Sequence, residues 1–230
     1  MKIDKARALV TGGSSGIGFE TAKLLAARGA RVAICGRDKA KLEKAAKKIG
    51  AVAIHADVGV ESDCVRLVAD VVREFADYNV LVNNAGFGSF APLLELELAD
   101  MQSVFATNVF GAMVVARESA RHFVGKKYGN IVNVASTAAQ RGFEGGTAYV
   151  ASKFALHGMT ECWRAELRKS NVRVMQINPS EVQTEFYSRR DFNPRKLVGA
   201  DIAQAIAAML EMEDRALVTE MSVWATNPTS

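Results

Sequence analysis

The stretch "RALVTGGSSGIG", residues 7–18, places a short apolar run directly before a cluster of glycines. The next residues, "FETAKLLAARG" (19–29), have the composition of a helix. This order predicts a strand, a tight turn and a helix. Such glycines let the backbone approach a pyrophosphate, and the helix N-terminus offers free N–H groups with a partial positive charge. The glycine spacing is G-x-x-x-G-x-G rather than the common G-x-G-x-x-G, so a simple strand-to-helix turn stays an alternative.

Short apolar runs alternate with longer amphipathic segments along most of the chain. Strands are predicted at 7–11, 31–35, 51–56, 80–84, 130–135, 172–178 and 217–225, and helices at about 16–28, 38–49, 62–75, 98–124, 147–169 and 200–211. Nearly continuous apolar strands separated by helices indicate a parallel sheet covered on both faces. The sequence therefore predicts one α/β domain over residues 1–230. Its fold is a Rossmann fold, a doubly wound seven-stranded parallel sheet with helices on both faces.

Composition narrows the class of protein. The chain has 230 residues, is 49% hydrophobic and carries a formal charge of +4. Basic residues are interspersed with acidic ones, as in "RDKAKLEKAAKK" (37–48), which indicates a solvated helix face and no nucleic-acid partner. No apolar run approaches the roughly 18 residues that span a bilayer, so no membrane partner is expected. The start, "MKIDKARALVTGG" (1–13), lacks the apolar core of a signal peptide, which predicts a cytoplasmic protein.

Cysteines and histidines show no metal-binding pattern. The three cysteines are widely spaced and odd in number, which favours reduced thiols over a disulfide framework. The three histidines lack ligand spacing, so we expect packing or surface roles and no metal site. These residues are Cys35, Cys64, Cys162, His55, His122 and His157.

A second informative stretch is "TAYVASKFAL", residues 147–156, where Tyr149 and Lys153 lie four residues apart. On a helix these positions share one face. A free phenol has a pKa of about 10 and is a poor base near neutral pH. A positive charge about 4 Å away, at an effective dielectric of 20, supplies about the 4 kcal/mol needed to lower that pKa by about three units. Taken alone, such a pair is more often surface packing beside a solvated amine.

The ordered set of motifs resembles the short-chain dehydrogenase/reductase family over nearly the whole chain. "TGGSSGIG" is similar to the family's cofactor loop, and "NNAG" (83–86) to its motif after the fourth strand. Asn108 matches its helix asparagine, and Ser136 precedes Tyr149 by the family's thirteen residues. Tyr149 and Lys153 match its Y-x-x-x-K pair. Each motif is modest alone, and their order makes the set specific.

The resemblance implies an oxidoreductase that transfers a hydride between NADP(H) and a small-molecule carbonyl or secondary alcohol. The implied catalytic residues are Asn108, Ser136, Tyr149 and Lys153. Tyr149 would act as acid and base, while Lys153 would lower its pKa and bond the nicotinamide ribose. Ser136 would hold the substrate oxygen, and Asn108 would anchor a water on the proton path. The alternatives are an NAD-dependent dehydrogenase, a non-catalytic nicotinamide sensor, or a lyase or epimerase on a related fold.

The cofactor site implied by the resemblance draws on six segments of the chain. Its residues are Gly12, Ser14, Ser15, Gly16, Ile17, Gly18, Arg37, Asp57, Val58, Asn84, Ala85, Gly86, Tyr149, Lys153, Pro179, Val182 and Thr184. Asp57 lies where the family has an acid near the adenine, but it could equally be a turn residue or a helix cap.

The choice between NADP(H) and NAD(H) depends on "CGRD", residues 35–38. NAD-preferring sites commonly carry an acid at the end of the second strand, where this chain has Gly36. Arg37 follows, and a guanidinium suits a 2′-phosphate. Asp38 could approach the ribose, but we favour a role as the cap of the next helix. Ser15 stands where many phosphate-preferring relatives have a basic residue. NADP(H) is predicted.

The region after the sixth predicted strand bears on the substrate. In "NPSEVQTEF" (178–186), Ser180 replaces the family's glycine. Residues 185–199 lie where the family has a substrate lid. Its aromatic residues could line a pocket, and its basic patch could bind an anionic substrate or an acidic carrier protein that bears an acyl chain. Those residues are Phe186, Tyr187, Phe192, Arg189, Arg190, Arg195 and Lys196. An ordinary exposed loop is the alternative.

The resemblance also bears on subunit assembly and on the C-terminal tail. The long predicted helices match those through which the family forms homodimers and homotetramers. Val109, Ala112, Met113 and Ala116 follow helical spacing there, although they could equally pack inside one subunit. The tail "LVTEMSVWATNP" (217–228) resembles those of sepiapterin-reductase-like and serine-dehydrogenase-like members.

Overall fold

A computed structural model describes residues 1–184 and 193–226. Its strands are β1 Arg7–Thr11, β2 Arg31–Gly36, β3 Val52–His55, β4 Val80–Asn83, β5 Gly129–Val134, β6 Val172–Pro179, β7 Val182–Gln183, β8 Leu197–Val198 and β9 Glu220–Val223. Its α-helices are α1 Gly16–Ala27, α2 Lys39–Ile49, α3 Glu61–Glu74, α4 Leu98–Phe105, α5 Ala112–Lys126, α6 Thr147–Leu167 and α7 Gly199–Glu211.

Seven strands form one parallel sheet in the order β3-β2-β1-β4-β5-β6-β9. This confirms the predicted doubly wound α/β fold. Helices cover both faces, and successive strand residues alternate between two cores because a strand has a period of two. Ala8 and Val10 pack with Leu25 of α1 in one core, whereas Leu9 packs with Val115 of α5 in the other. All five side chains are buried, which explains the continuous apolar runs in the sequence.

The strand order reverses between β1 and β4, so the chain leaves these neighbours in opposite directions and opens a crevice at their carboxyl ends. Thr11 holds the two ends together. Its Oγ1 accepts hydrogen bonds from the backbone N–H groups of Asn84 (2.9 Å) and Ala85 (3.0 Å). Asn84 in turn donates from Nδ2 to the Thr11 carbonyl at 2.8 Å. The loops that follow β1 and β4 are therefore fixed against each other.

The helix predicted at 98–124 contains a π-helical segment, Ala106–Gly111, between α4 and α5. Gly111 lies against the Val58 carbonyl, where a Cβ would sit only 2.0 Å from the oxygen. By length and composition, Leu98–Lys126 could cross a membrane. Its 18-residue apolar window has a mean hydropathy of 1.3, and 39% of that window is buried inside the protein. A core helix of a globular domain meets the same criterion, so this observation carries no membrane assignment.

The residues considered for subunit contacts on this helix pack mainly inside the chain. Val109, Ala112 and Ala116 are buried, and Met113 is partly buried. Their helical spacing predicted either subunit contacts or packing inside one subunit, and the structure supports packing inside one subunit. Homo-oligomer formation stays a prediction.

One small element was not predicted. Strands β7 and β8 form a two-stranded parallel sheet, with Val182 opposite Leu197. Residues 185–192 of the expected lid, with its aromatic residues and Arg189 and Arg190, lie outside the described residues. In the described remainder, Lys196 forms an ion pair with Glu181 at 2.8 Å, which offsets part of the predicted basic patch.

Thr11→Val should lower the free energy of unfolding by about 2 kcal/mol, because it leaves two partly buried N–H groups without their acceptor. Urea denaturation measures the change. Thr21→Val is a matched control: Thr21 is fully buried on α1, and its Oγ1 makes no hydrogen bond to a described residue. That variant should be as stable as the wild type or more so. Equal losses in the two variants would contradict the assigned role of Thr11.

Candidate active site

The loop between β1 and α1 is shaped to receive an anion. Gly12 and Gly16 have φ of +64° and +56°, a backbone conformation that favours glycine. A Cβ at Gly18 would lie 2.4 Å from the Gly12 carbonyl oxygen, so only glycine lets α1 begin this close to the loop. The Ser15 side chain caps none of the described N–H groups of the first turn. Those N–H groups can therefore bind a phosphate oxygen.

The loop forms one wall of a cavity of about 450 Å³ at the carboxyl ends of the strands. The predicted residues that line it are Gly12, Ser14, Ser15, Gly16, Ile17, Arg37, Asp57, Val58, Asn84, Ala85, Gly86, Ser136, Tyr149, Lys153, Pro179, Val182 and Thr184. Lining residues that we did not predict as site residues are Cys35, Gly36, Ala56, Phe87, Thr107, Val134, Ala135 and Ser180. Gly18 and Asn108 are outside this lining, and Gly18 acts beneath it by allowing the close packing of α1.

A second part of the cavity wall is formed by Ser136, which follows β5, and by Tyr149 and Lys153 on α6. Helix α6 places the Lys153 Nζ 5.6 Å from the centroid of the Tyr149 ring. Nζ also donates a hydrogen bond to the Val134 carbonyl at 3.0 Å, which ties α6 to the end of β5. Ser136 Oγ accepts a bond from the Ala138 N–H at 3.1 Å. That bond uses an oxygen lone pair and leaves the hydroxyl proton available to donate to a ligand oxygen.

The electrostatics of this wall depend on burial. Lys153 is 5% exposed and Tyr149 9%. Burial lowers the pKa of Lys153 to about 8, so the ammonium form still predominates at neutral pH. Its Nζ lies 5.6 Å from the centroid of the Tyr149 ring, so the positive charge of Lys153 favours a negative charge on that ring.

Asn108 lies in the π-helical segment and is buried. Its Oδ1 accepts from the Phe87 N–H at 3.0 Å, and its Nδ2 donates to the Phe87 carbonyl at 2.8 Å and to Ser152 Oγ at 3.0 Å. The side-chain amide therefore joins the loop after β4 to α6. This geometry makes Asn108 a positioning residue below the cavity wall, and the predicted water-anchoring role of Asn108 stays a prediction.

Arg37 and Asp38, which follow β2, have different positions relative to the cavity. The Asp38 carboxylate accepts from the Lys41 N–H at 2.9 Å, which confirms its predicted role as the cap of α2. Arg37 is exposed at the cavity rim, with its guanidinium 6.0 Å from the centroid of the Phe87 ring. Gly36 lies close to Ser14, since a Cβ there would be 3.3 Å from the Ser14 hydroxyl. Of Arg37 and Asp38, Arg37 is thus the one that lines the cavity.

Two further predicted positions can be placed. The Asp57 carboxylate accepts from the Gly59 N–H at 2.8 Å, so it acts as a turn residue while also lining the cavity. Ser180 is absent from the described non-glycine residues with positive φ. Its replacement of a glycine therefore introduces no left-handed backbone. The Ser180 N–H instead donates to the Val223 carbonyl at 2.9 Å, which attaches the end of β6 to β9.

This combination of fold, loop and side chains corresponds to a defined class of enzymes. The model of the short chain dehydrogenase family matches residues 6–193. The chain belongs to the short-chain dehydrogenase/reductase family, a class of oxidoreductases.

Curated relatives agree with this class. The chain is 32% identical over 223 residues to an uncharacterized oxidoreductase of Staphylococcus saprophyticus, covering 94% of this chain and 95% of the relative. It is 28% identical to an NADP-dependent 3-hydroxy acid dehydrogenase of Schizosaccharomyces pombe, with coverages of 97% and 93%. A third relative, an uncharacterized oxidoreductase of Bacillus subtilis, is 33% identical, and the match covers 77% of this chain and 52% of that protein.

Solved structures show the same fold. An alcohol dehydrogenase of Thermococcus sibiricus complexed with 5-hydroxy-NADP has a TM-score of 0.89 at 25% identity, covering 97% of this chain and 98% of that one. A short chain dehydrogenase of Burkholderia cenocepacia in complex with NADP has a TM-score of 0.87 at 30% identity, with 98% of both chains covered. A 3-ketoacyl-(acyl-carrier-protein) reductase of Brucella melitensis complexed with NADH has a TM-score of 0.88 at 30% identity, with coverages of 95% and 96%.

The buried ammonium should give a distinctive pH dependence of stability. Because the pKa of Lys153 falls from 10.5 to about 8 on folding, the folded chain binds fewer protons than the unfolded chain between these values. The cost, about 3 kcal/mol by the linkage relation, is fully present below pH 8 and is relieved as the pH rises toward 10.5. Lys153→Met should therefore gain stability relative to the wild type at pH 7, and this gain should shrink toward pH 10.

Urea denaturation across that pH range measures the difference between the two proteins. Lys44→Met, which removes an exposed ammonium from α2, is the matched control for the loss of one positive charge. The same pH trend in both variants would contradict an origin in the burial of Lys153.

Proposed function

We propose that this chain is an NADP(H)-dependent carbonyl reductase or alcohol dehydrogenase that acts on a small-molecule substrate. The observation that carries the proposal is that Tyr149, Lys153 and Ser136 line the same cavity as the glycine loop. A cofactor that fills this cavity would contact both the loop and the phenol.

The residues present fit a phosphorylated dinucleotide. Gly12 and Gly16 turn the loop through positive φ, and no side chain caps the described N–H groups at the first turn of α1, so these groups can bind a pyrophosphate. Arg37 at the rim suits a 2′-phosphate, and the capping bond of Asp38 directs its carboxylate toward α2. Two solved relatives hold NADP or a derivative of it, and a curated relative is NADP-dependent, which supports the same choice. The NADH complex of another relative keeps NAD(H) as the alternative.

The chain's own residues would bind the substrate oxygen and transfer the proton. When bound, NADP(H) supplies or accepts the hydride. Ser136 donates a hydrogen bond from its hydroxyl to the carbonyl oxygen, where negative charge develops during reduction. Tyr149 gives its phenolic proton to that oxygen, and Lys153 stabilises the phenolate that forms. In alcohol oxidation the same groups act in reverse, with the phenolate as the base.

The remaining assignments rest on the sequence alone. A homodimer or homotetramer, a cytoplasmic location and the absence of nucleic-acid, membrane and metal partners are proposed from composition and resemblance. Among the described residues, no group of three or more His, Cys, Asp or Glu side chains could hold a metal.

Tyr149→Phe should lower kcat for carbonyl reduction by at least about a hundredfold, since it removes the proton donor. The dissociation constant for NADPH should stay within about twofold of the wild type, because the ring remains in place. Absorbance at 340 nm with a panel of ketones and aldehydes measures the rate, and fluorescence titration measures NADPH binding. Tyr128→Phe, which removes a phenolic hydroxyl bonded to Asp214, is the control. NADPH binding without turnover on the whole panel would favour the nicotinamide sensor.

Arg37→Ala should raise the dissociation constant for NADPH by about ten- to a hundredfold, the value of a charge-assisted hydrogen bond. The constant for NADH should change little because NADH has no 2′-phosphate. Lys44→Ala removes a nearby exposed charge and serves as the control for general electrostatics. A parallel loss for both cofactors, or tighter wild-type binding of NADH, would overturn the assignment of Arg37.

A further inference from the structure

An aromatic surface adjoins the candidate catalytic tyrosine. The Phe90 ring lies 5.6 Å from the Tyr149 ring, centroid to centroid, with an interplanar angle of 58°. The Phe143 ring lies 6.1 Å from the Phe90 ring. Phe90 and Phe143 are 46% and 50% exposed, whereas Tyr149 is 9% exposed. The three rings form a row that leads from the surface to the phenol.

Two loops are locked together to build this row. Phe90 follows β4 and Phe143 follows β5, and the Ala91 N–H donates to the Gly145 carbonyl at 3.0 Å. Gly145 has a φ of +72°, which places this turn in the conformation that glycine favours. A Cβ at Gly146 would lie 2.7 Å from the Phe143 ring, so the missing side chain makes room for the ring over the start of α6.

The loop that carries Phe143 is also attached to the edge of the sheet. Gln140 donates to Glu220 at 2.8 Å and to Ser222 at 3.4 Å, both on β9. The Arg141 guanidinium stacks on the Trp224 ring at 4.9 Å. These contacts hold the loop before any ligand binds, which reduces the entropy lost on binding.

From this arrangement we infer that Phe90 and Phe143 determine specificity, and that the substrate is a ketone or aldehyde bearing an aromatic ring next to its carbonyl group. The inference rests on the proposed function of the same site and adds the substrate class. The catalytic phenol fixes the position of the carbonyl oxygen. Phe90 then lies beside the group attached to the carbonyl carbon, where it can pack against a flat ring in a tilted or offset geometry. Half-exposed aromatic side chains at such a site gain from being covered by an apolar ligand group.

The test compares propiophenone with cyclohexyl ethyl ketone, two ketones that differ only in the aromaticity of the ring. Calorimetric titration of the Tyr149→Phe protein with NADPH bound measures affinity without turnover. Propiophenone should bind about tenfold more tightly, the value of two aromatic contacts. Phe90→Leu and Phe143→Leu, each in the Tyr149→Phe background, should reduce this preference at least threefold. Phe90→Trp should restore it.

Phe154→Leu is the matched control, because Phe154 is 45% exposed on α6 and, among the described residues, is not one of the rings in contact with Tyr149 or Phe90. Equal affinities for the two ketones, or a preference that both leucine variants preserve, would overturn the inference. A change in oligomeric mass on Phe90→Leu, with ketone binding unaltered, would also overturn it by assigning the rings to a subunit contact. Aryl selectivity in binding, without turnover by the protein that retains Tyr149, would refute the proposed function while supporting the aromatic site.

Discussion

The architecture of the site depends on the close approach of the loop after β1 to the end of β4. Gly18 fits against the Gly12 carbonyl only without a side chain, and Asn84 packs against both glycines. Thr11 closes the junction by accepting two N–H bonds from the chain after β4. Because the strand order reverses here, the chain diverges on either side and a crevice follows from the topology. Small residues and the Thr11 hydroxyl thus shape the crevice at the carboxyl ends of β1 and β4.

The same cleft holds a group that opposes folding. Lys153 is buried, and burial favours the neutral amine. The Val134 carbonyl compensates for part of the lost hydration, and most of the charge remains at neutral pH. That charge makes a neighbouring phenol more acidic. The fold therefore gives up some stability to bury Lys153 in the cavity, and ionisable groups with altered pKa values are common at catalytic sites.

Much of the fold could be predicted from the sequence because its signals are local. Each strand of a doubly covered sheet is a continuous apolar run, and glycines and Asp38 mark the helix starts with a recognisable chemistry. The short β7–β8 pair was not predicted, because a strand of two residues is too short to show a periodic pattern. The π-helical segment was not predicted either, and within it Gly111 packs against the Val58 carbonyl, which is distant in sequence.

The sequence predicted the proposed cofactor and acid–base residues, but it did not predict the aromatic residues beside them. Motif order pointed to the proposed phosphate-binding and acid–base groups, since their chemistry restricts the residue type. Asn108 was identified as well, but only the structure shows that its amide joins Phe87 to Ser152. Phe90 and Phe143 carried no motif, because any apolar residue could occupy a substrate loop. The bond between the Ala91 N–H and the Gly145 carbonyl brings the two loops together beside Tyr149. The proposed substrate specificity therefore depends on a contact between two loops, and such a contact leaves no local signal in the sequence.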